Sequence, residues 1–327
     1  MIVQILLFAV GLVMLIKGGD FFVDGAAGIA KRFHIPEILI GATVVSIGTT
    51  LPEVMVSSIA AATGSGSIAY GNAIGSVICN TALIAAITVT VKPDKIDKKS
   101  LKLPVIFFFS SAVLYAVIAY FVGDFKRIFG IVLLAVFALY MVILSMSAKK
   151  SANLKKAEER SEEKSEEEAS NPFIKDLALL IIGAALIAVG ARLLVDNGQK
   201  IAVALGVPET VIALTFVALG TSLPELVTAI TSLAKGHSEM SLGNIIGANF
   251  FNIALVSGAA ITISPFALPA GKTIAGLNAS LVVDLPLMFA VMLLLCVPAL
   301  IKGKLSRWQG ITLLCLYTAF CVFQFFI

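Results

Sequence analysis

The chain has 327 residues, of which 59% are hydrophobic and 13% are charged. Soluble domains are roughly half apolar and a quarter charged, so this composition excludes a water-soluble globular protein and predicts an integral membrane protein. The net charge of +4 comes from short basic clusters between apolar runs, a pattern that is typical of membrane topology and predicts no nucleic-acid partner.

Ten apolar segments follow one another along the chain. A bilayer core about 30 Å thick needs a helix of roughly 20 apolar residues, so each segment is long enough to cross it. The first and sixth exceed a straight crossing, and we expect them to tilt or bend at Gly18-Gly19 and at Gly190. The sequence predicts an all-α membrane protein with ten transmembrane helices, at roughly 2–30, 37–63, 68–91, 102–122, 126–147, 173–203, 209–235, 240–264, 277–300 and 307–327.

The distribution of Lys and Arg predicts the orientation of these helices. If the N-terminus lies outside, the inside loops carry 18 Lys and Arg residues and the outside loops carry 4. Basic residues favour the cytoplasmic side, so both termini are predicted to lie outside. The first segment has no basic region before it, and we interpret it as a span and not as a signal peptide.

A polar stretch at 148–172, basic and then acidic, separates the two halves of the chain. Its composition is typical of a solvated cytoplasmic linker, either helical or disordered. The sequence therefore predicts a first half at 1–147 and a second half at 173–327. The four cysteines lie in apolar segments without metal-like spacing, which indicates a packing role.

An internal repeat relates the two halves. GTTLPE at 48–53 recurs as GTSLPE at 220–225, and GNAIGSVICN at 71–80 recurs as GNIIGANFFN at 243–252. Both pairs are 172 residues apart, and the shared residues include Gly, Pro, Glu and Asn, which chance similarity between apolar helices would not match. Five predicted spans separate the copies. Because five is odd, the sequence predicts two inverted-topology five-helix repeats, an architecture of secondary transporters.

Glu53 and Glu225 lie within predicted spans. An ionised carboxylate at that depth costs several kcal/mol unless it is paired or solvated, and no Lys or Arg lies three or four residues away on the same helix. A protonated structural Glu would explain one such residue. Two that are related by the repeat indicate cation ligands.

Oxygen atoms surround each predicted carboxylate. Thr49 and Thr50 share a helical face with Glu53, and Ser46 lies one turn further back. The second copy supplies Thr221 and Ser222 beside Glu225. Pro52 and Pro224 have no N–H, which leaves backbone carbonyls without their usual helical donors.

The span after each motif carries amides. Asn72, Ser76 and Asn80 are spaced at i, i+4 and i+8, and Asn244, Ala248 and Asn252 are their copies. Asn80 and Asn252 indicate functional positions because apolar residues would pack there more favourably. The glycines beside them form small-xxx-small pairs that predict close helix packing.

Hard cations prefer such an all-oxygen set, and Ca²⁺ takes 6–8 oxygen ligands. The sequence has no His or Cys cluster for zinc or copper. Two carboxylates would neutralise one Ca²⁺, and Na⁺ competing for the same oxygens would exchange with it.

These paired motifs resemble the two alpha-repeats of the cation/calcium antiporter superfamily, particularly its prokaryotic sodium/calcium exchangers. The resemblance covers both halves and places the motifs at 41–80 and 213–252. It implies ten helices arranged as 5+5, with cation sites in the middle, and a first and a sixth helix that slide across a fixed core.

The resemblance also implies individual roles. Glu53 and Glu225 would be the central calcium ligands, with the carbonyls of Thr49 and Thr221. Sodium sites would use the carbonyls of Ser46 and Ala218 and the hydroxyls of Thr50, Ser76 and Ser222, while Asn80 would line the middle position. Some relatives carry Asp at the position of Asn252 and Ser at that of Ala248, so this chain lacks one charge and one hydroxyl.

We therefore predict a secondary antiporter that exports Ca²⁺ in exchange for Na⁺ by alternating access, in the plasma membrane of a prokaryote. Its transported ions, Ca²⁺ and Na⁺, and the lipid bilayer are its only predicted partners, with no obligatory protein partner. A Ca²⁺/H⁺ antiporter of the same fold is the alternative, because a desolvated Glu can also titrate. An enzyme is not predicted, since no His lies within a span to act as a base. An ion channel is a further alternative, and it would be recognised by a single-channel conductance far above the rates of a carrier.

Overall fold

The computed structural model describes residues 1–93, 95–161, 173–205, 220–271 and 273–326. This part of the chain is almost entirely helical, which confirms the predicted all-α membrane protein. Eight of its helical segments are long and apolar enough to cross a bilayer: Ile2–Arg32, Glu37–Ala62, Gly66–Val91, Lys98–Phe121, Arg127–Ser147, Phe173–Ala204, Ser238–Ile263 and Ser280–Lys302.

We number the helices in chain order and label π-helical turns separately. The first half contains α1 (Ile2–Arg32), α2 (Glu37–Ile40), π1 (Gly41–Val45), α3 (Ser46–Ala62), α4 (Gly66–Cys79), π2 (Asn80–Ala85), α5 (Ala86–Val91), α6 (Lys98–Phe121) and α7 (Arg127–Ser161). The second half contains α8 (Phe173–Ala204), α9 (Leu223–Ala234), α10 (Ser238–Phe251), π3 (Asn252–Val256), α11 (Ser257–Ile263), π4 (Ser280–Asp284), α12 (Leu285–Lys302) and α13 (Arg307–Phe326).

Two short antiparallel ribbons lie between these helices. β1 (Asp124–Phe125) pairs with β2 (Phe266–Ala267), so that Phe125 opposes Phe266. β3 (Thr273–Ile274) pairs with β4 (Leu277–Asn278).

Three predicted spans differ from the observed helices. The predicted span 209–235 is described only in part, as α9, because 206–219 lie outside the described residues. The predicted span 126–147 continues as α7 to Ser161, since the start of the polar stretch is rich in helix-forming Ala, Lys and Glu. Residues 162–172 of the predicted linker lie outside the described residues. The predicted span 277–300 starts only at Ser280, because β4 occupies its first residues.

Two of the four described π-helical turns are related by the repeat. π2 begins at Asn80 and π3 begins at Asn252, and these residues occupy the same position in the two copies. A π turn inserts one residue into an α-helix and breaks its hydrogen-bond pattern, and such turns are frequent at functional sites. Both amides singled out in the sequence therefore lie where their helices change hydrogen-bond register.

The described residues form two compact units, each built from segments of both halves of the chain. One comprises Met1–Thr49 and Val142–Asn244, and the other comprises Thr50–Met141 and Ile245–Ile327.

In the first unit, α1 and α8 pack with their backbones in contact. A Cβ atom on Gly11 would lie 2.8 Å from the carbonyl oxygen of Gly190, and one on Gly18 would lie 2.8 Å from the backbone nitrogen of Ile187. Gly25 continues this row and would meet the α8 backbone at 2.5 Å. α1 is continuous through these glycines, which serve close approach between the two helices.

Aromatic rings fill part of the core of the second unit. Tyr140 of α7 contacts Phe250 of α10 with ring centroids 4.4 Å apart, and Phe137 meets Phe251 edge-on at 5.0 Å. Tyr115 of α6 contacts Phe125 at 4.7 Å. Phe107 of α6 also meets Phe250 edge-on at 5.9 Å, so the rings hold α6, α7 and α10 together around the segment that leads into π3.

Candidate functional site

Glu53 lies in the interior of α3 and is completely buried, with 0% exposure. Pro52 precedes it inside the helix and cannot donate a backbone hydrogen bond. The side-chain amide of Asn72 in α4 donates to the backbone carbonyl of Glu53 at 3.3 Å and to the hydroxyl of Ser57 at 2.9 Å. Asn72 therefore ties α4 to the turn of α3 that carries the carboxylate.

Glu225 is also completely buried, but it lies in the first turn of α9. Ser222 occupies the N-cap position and is 2% exposed, and Thr221 before it is half-buried. The N-terminus of a helix carries a partial positive charge, which favours an ionised carboxylate in the first turn. Ala218, the remaining predicted ligand of this motif, lies outside the described residues.

Asn80 has no exposed surface, and it begins π2. Within the described part of the chain, neither its amide oxygen nor its amide nitrogen makes a hydrogen bond. A buried polar group without a partner costs about 1–3 kcal/mol. Apolar packing therefore does not explain Asn80, whereas a ligand for its amide oxygen would.

Asn252, the copy of Asn80, is equally buried and begins π3. Its amide nitrogen donates to the carbonyl of Ala248 at 3.0 Å, and its own carbonyl accepts a hydrogen bond from the hydroxyl of Ser257 at 3.1 Å. The amide oxygen of Asn252 makes no hydrogen bond to the described residues. Because the nitrogen is engaged, the side chain has a fixed orientation that leaves its oxygen as the available ligand.

Ser46, Thr49 and Asn244 form a hydrogen-bonded cluster in the first unit, and all three are at most 1% exposed. The Ser46 hydroxyl lies 3.0 Å from the backbone carbonyl and 3.2 Å from the amide oxygen of Asn244, while the Thr49 hydroxyl donates to that amide oxygen at 3.2 Å. Ser46 also lies 2.8 Å from the carbonyl of Gly41 in π1. Asn244 therefore orients both predicted ligand residues.

This role of Asn244 is one that sequence reasoning missed. The spacing of Asn244 relative to Asn252 placed it on the polar face of its helix, but nothing in that pattern indicated hydrogen bonds to residues almost 200 positions earlier in the chain. The repeat was a partial signal, because its copy Asn72 makes the different bonds to Glu53 and Ser57.

Nearly all of the predicted ligand residues that the structure describes are buried, and they are divided between the two units. The first unit contains Ser46, Thr49, Thr221, Ser222 and Glu225, and the second contains Thr50, Glu53, Ser76, Asn80 and Asn252. Apart from the half-buried Thr221, each is at most 4% exposed.

The predicted small-residue packing holds at Gly243 and does not hold at Gly71 or Gly75. A Cβ on Gly243 would lie 2.9 Å from the carbonyl carbon of Ile38, but a Cβ on Gly71 or Gly75 would meet no atom within 4 Å. The prediction of close packing at Gly71 and Gly75 is therefore wrong. These two glycines line a cavity of about 370 Å³, with Asp284 on its wall.

The described residues contain no group of three or more His, Cys, Asp and Glu side chains that could hold a metal ion. The oxygens of carboxylates, hydroxyls, amides and backbone carbonyls remain the predicted ligands, and such a set suits Na⁺ and Ca²⁺ better than zinc or copper.

Apolar helices that bury carboxylates, hydroxyls and amides at membrane depth define a multi-pass integral membrane protein of the ion-transport class. The family described as "Sodium/calcium exchanger protein" matches residues 3–146 and 175–326. The chain belongs to this family, within the cation/calcium antiporter superfamily, and is a membrane antiporter and not an enzyme.

Individual relatives match over nearly the whole chain. Sodium/calcium exchanger MaX1 of Methanosarcina acetivorans is 31% identical, with 99% of each chain covered. An uncharacterised membrane protein of Methanocaldococcus jannaschii is 36% identical, with 95% of this chain and 94% of that one covered. A solved structure of the sodium-calcium exchanger NCX_Mj, soaked with Na⁺ and Sr²⁺, gives a TM-score of 0.81 at 33% identity, with 97% of both chains covered.

Proposed function

We propose that this protein exports Ca²⁺ across a prokaryotic plasma membrane in exchange for Na⁺, by alternating access. The observation that carries the proposal is the complete burial of Glu53 and Glu225, which occupy the same place in two copies of one motif. Burial of an ionised carboxylate is costly, and a cation of opposite charge offsets that cost. Membership of the sodium/calcium exchanger family supports these two ions as the cargo.

The ten-helix, two-repeat architecture is part of the proposal. The copies of the motif are 172 residues apart and separated by an odd number of predicted spans, so the second copy runs in the opposite direction through the bilayer. Two oppositely oriented copies present equivalent residues to opposite sides of the membrane, as alternating access requires. The excess of Lys and Arg in alternate loops supports an orientation with both termini outside.

Each predicted ligand residue receives a role in the proposal. Glu53 and Glu225 bind Ca²⁺ through their carboxylates, and Thr49 and Thr221 assist through backbone carbonyls. Na⁺ competes for the same two carboxylates and is also bound by the remaining predicted oxygens, which are the carbonyls of Ser46 and Ala218 and the hydroxyls of Thr50, Ser76 and Ser222, while Asn80 and Asn252 contribute amide oxygens.

Competition couples the two fluxes. Because Na⁺ and Ca²⁺ need the same carboxylates, the two species exclude one another. The ion with the higher occupancy on each side then determines what is carried across. Asn252 and Ala248 supply one charge and one hydroxyl fewer than Asp and Ser would. We therefore expect weaker Na⁺ binding at this position.

The experiment is uptake of radiolabelled calcium into proteoliposomes that contain the purified protein. An imposed Na⁺ gradient should drive uptake, and Glu53→Gln and Glu225→Gln should each abolish it. Asp124→Asn removes a carboxylate from an exposed position in β1 and serves as the matched control, with transport unchanged. Normal transport by either Gln variant would reject the assignment of that residue. Uptake driven by a pH gradient without sodium would identify the Ca²⁺/H⁺ antiporter instead.

A further inference from the structure

Three hydroxyl groups lie buried in the hairpin that α9 and α10 form. Thr228 and Ser232 of α9 have 0% exposure, and Ser241 of α10 has 2%. We call these three residues the hydroxyl face. Within the described part of the chain, none of the three hydroxyl oxygens makes a hydrogen bond. A serine or threonine in a helix can usually bond to the carbonyl one turn earlier, and these side chains do not.

The hydroxyl face leads from Glu225 to the turn of the hairpin. Glu225, Thr228 and Ser232 are spaced at i, i+3 and i+7, so they share one face of α9. A different face of α9 contacts α1, where a Cβ on Gly19 would lie 2.7 Å from the hydroxyl of Thr231 and 2.8 Å from the side chain of Val227. The hydroxyl face is thus turned by about a third of the helix circumference from the face that contacts α1.

The turn itself is tight, and it sets the depth of Ser232 and Ser241. The backbone N–H of His237 donates to the carbonyl of Ser232 at 2.8 Å, and the N–H of Ser241 donates to the carbonyl of His237 at 3.1 Å. In an antiparallel helical hairpin, residues equally far from the turn lie at the same level. Ser232 and Ser241 thus lie at one level near the turn, and Thr228 lies between that level and Glu225.

Packing does not account for these hydroxyls. The repeat places Val56, Ala60 and Ala69 at the positions of Thr228, Ser232 and Ser241. Ala60 and Ala69 are buried, with 8% and 1% exposure, so apolar residues fill the corresponding positions of the first copy. A buried hydroxyl without a hydrogen bond is unfavourable compared with such an apolar residue. At Ser232 and Ser241 the second copy therefore carries hydroxyls where the first copy carries buried apolar side chains, whereas Val56, the counterpart of Thr228, is 40% exposed.

The charges at the turn do not repel a cation. The ammonium group of Lys235 lies 2.7 Å from a carboxylate oxygen of Asp24 and 3.5 Å from one of Asp20, so two acids offset its charge. His237 contacts the carboxylate of Glu37 at 2.8 Å.

We propose that the hydroxyl face lines the route by which Na⁺ and Ca²⁺ reach the Glu225 carboxylate from the turn of the α9–α10 hairpin. The proposal rests on the function proposed above. A hard cation that leaves water needs oxygen ligands in its place, and a row of hydroxyls supplies them in steps. Polar groups at membrane depth are tolerated where they line a water-filled cavity, which also satisfies the hydroxyls.

Cysteine accessibility tests the route directly. Ser232→Cys and the matched control Ala60→Cys are placed in a variant whose four native cysteines, Cys79, Cys296, Cys315 and Cys321, are replaced by alanine. A membrane-impermeant trimethylammonium methanethiosulfonate is applied to each side of proteoliposomes. We expect Ser232→Cys to react from one side, at least about tenfold faster than Ala60→Cys, and Ca²⁺ to slow the reaction. Equal rates for the two cysteines would overturn the proposal.

Transport kinetics provide a second test without the cysteine replacements. Thr228→Val removes one hydroxyl at nearly constant volume. We expect calcium uptake to slow about fivefold, the effect of losing one contact of hydrogen-bond strength. Equilibrium Ca²⁺ binding, measured by calorimetry, should not change. An unchanged uptake rate would overturn the proposal. The two proposals can fail separately. If Ser232→Cys reacts rapidly but the unmodified protein exchanges no calcium, the proposed exchange function is rejected while the access route remains supported.

Discussion

Gly243 and Gly71 occupy the same position in the two copies of the repeat, but their surroundings predict opposite effects of adding one methyl group. A Cβ on Gly243 would lie 2.9 Å from the carbonyl carbon of Ile38, whereas a Cβ on Gly71 would meet no atom within 4 Å. We expect Gly243→Ala to force α10 away from α2 and Gly71→Ala to leave its helix in place.

The size of the effect follows from these distances. An ordinary contact needs at least 3.4 Å, and the carbonyl oxygen of Ile38 lies nearer to this Cβ than the carbonyl carbon does, so the two helices must separate by more than about 0.5 Å. The same displacement lengthens the Thr49–Asn244 hydrogen bond from 3.2 Å to more than about 3.7 Å, which is outside hydrogen-bond range. Overpacking costs roughly 1–3 kcal/mol and a lost hydrogen bond about 1 kcal/mol, so Gly243→Ala should lower the free energy of unfolding by about 2–4 kcal/mol.

Thermal unfolding in detergent, with and without Ca²⁺, measures this effect. We expect the midpoint of Gly243→Ala to fall by roughly 3–6 °C. The stabilisation by Ca²⁺ should also shrink, because Asn244 no longer orients Ser46 and Thr49. Gly71→Ala should match the unmodified protein in both measurements. Equal midpoints for the two variants, or a lower midpoint for Gly71→Ala, would refute the reasoning.

Three further predictions concern residues elsewhere in the chain. Asp97 caps α6 by accepting hydrogen bonds from the N–H groups of Lys99 and Ser100; Asp97→Ala should cost about 1 kcal/mol of stability in thermal unfolding. Partial burial raises the pKa of Asp97, but the hydroxyl and N–H donors outweigh this effect and lower that pKa below its ordinary 3.8. The ionised cap therefore stabilises the fold at pH values above the ordinary pKa. Unfolding measured against pH should show this contribution disappearing as the pH falls through the folded-state pKa. Asp24→Asn and Lys235→Met, measured singly and together, should show a coupling energy below about 1 kcal/mol, because the ion pair is partly exposed; a much larger coupling would contradict this view of the pair. Asn252→Asp replaces the amide nitrogen that donates to the Ala248 carbonyl at 3.0 Å with an acceptor oxygen, so the new carboxyl needs a proton or a cation. The apparent Ca²⁺ affinity of this variant in binding assays should increase as the pH rises. An affinity that does not depend on pH would count against the assigned geometry.

The helices were largely predictable because their length and apolar composition are fixed by the bilayer. The segments at 2–30 and 173–203 correspond closely to α1 and α8. Their ends were less predictable, as the extension of α7 to Ser161 shows, because helix-forming polar residues continue a helix beyond the apolar run.

The burial of the predicted ligand residues could also be anticipated. Glu53 and Glu225 stand out in the sequence because carboxylates are rare in apolar segments and because the repeat duplicates them. The π turns that begin at Asn80 and Asn252 were not predicted. A π turn depends on one additional residue in the hydrogen-bond pattern, and no residue type marks its position.

Differences between the copies of the repeat were the least predictable feature. Gly71 and Gly243 are the same residue in the same motif, and only the packing of neighbouring helices separates a glycine beside a cavity from one in contact with a backbone. Similarly, Asn72 and Asn244 bond to different partners. A repeated motif preserves the chemistry of its residues, while the tertiary contacts of each copy depend on the rest of the chain.

The row of glycines between α1 and α8 has a mechanical consequence. Where main chains touch, as at Gly11 and Gly190, no side chains lie between the helices to bend or change rotamer. The ion pair between Arg32 and Asp176, at 3.5 Å, joins the same two helices near one end. A displacement of either helix is then transmitted directly to the other. We therefore expect α1 and α8 to move as one rigid body in any rearrangement during a transport cycle.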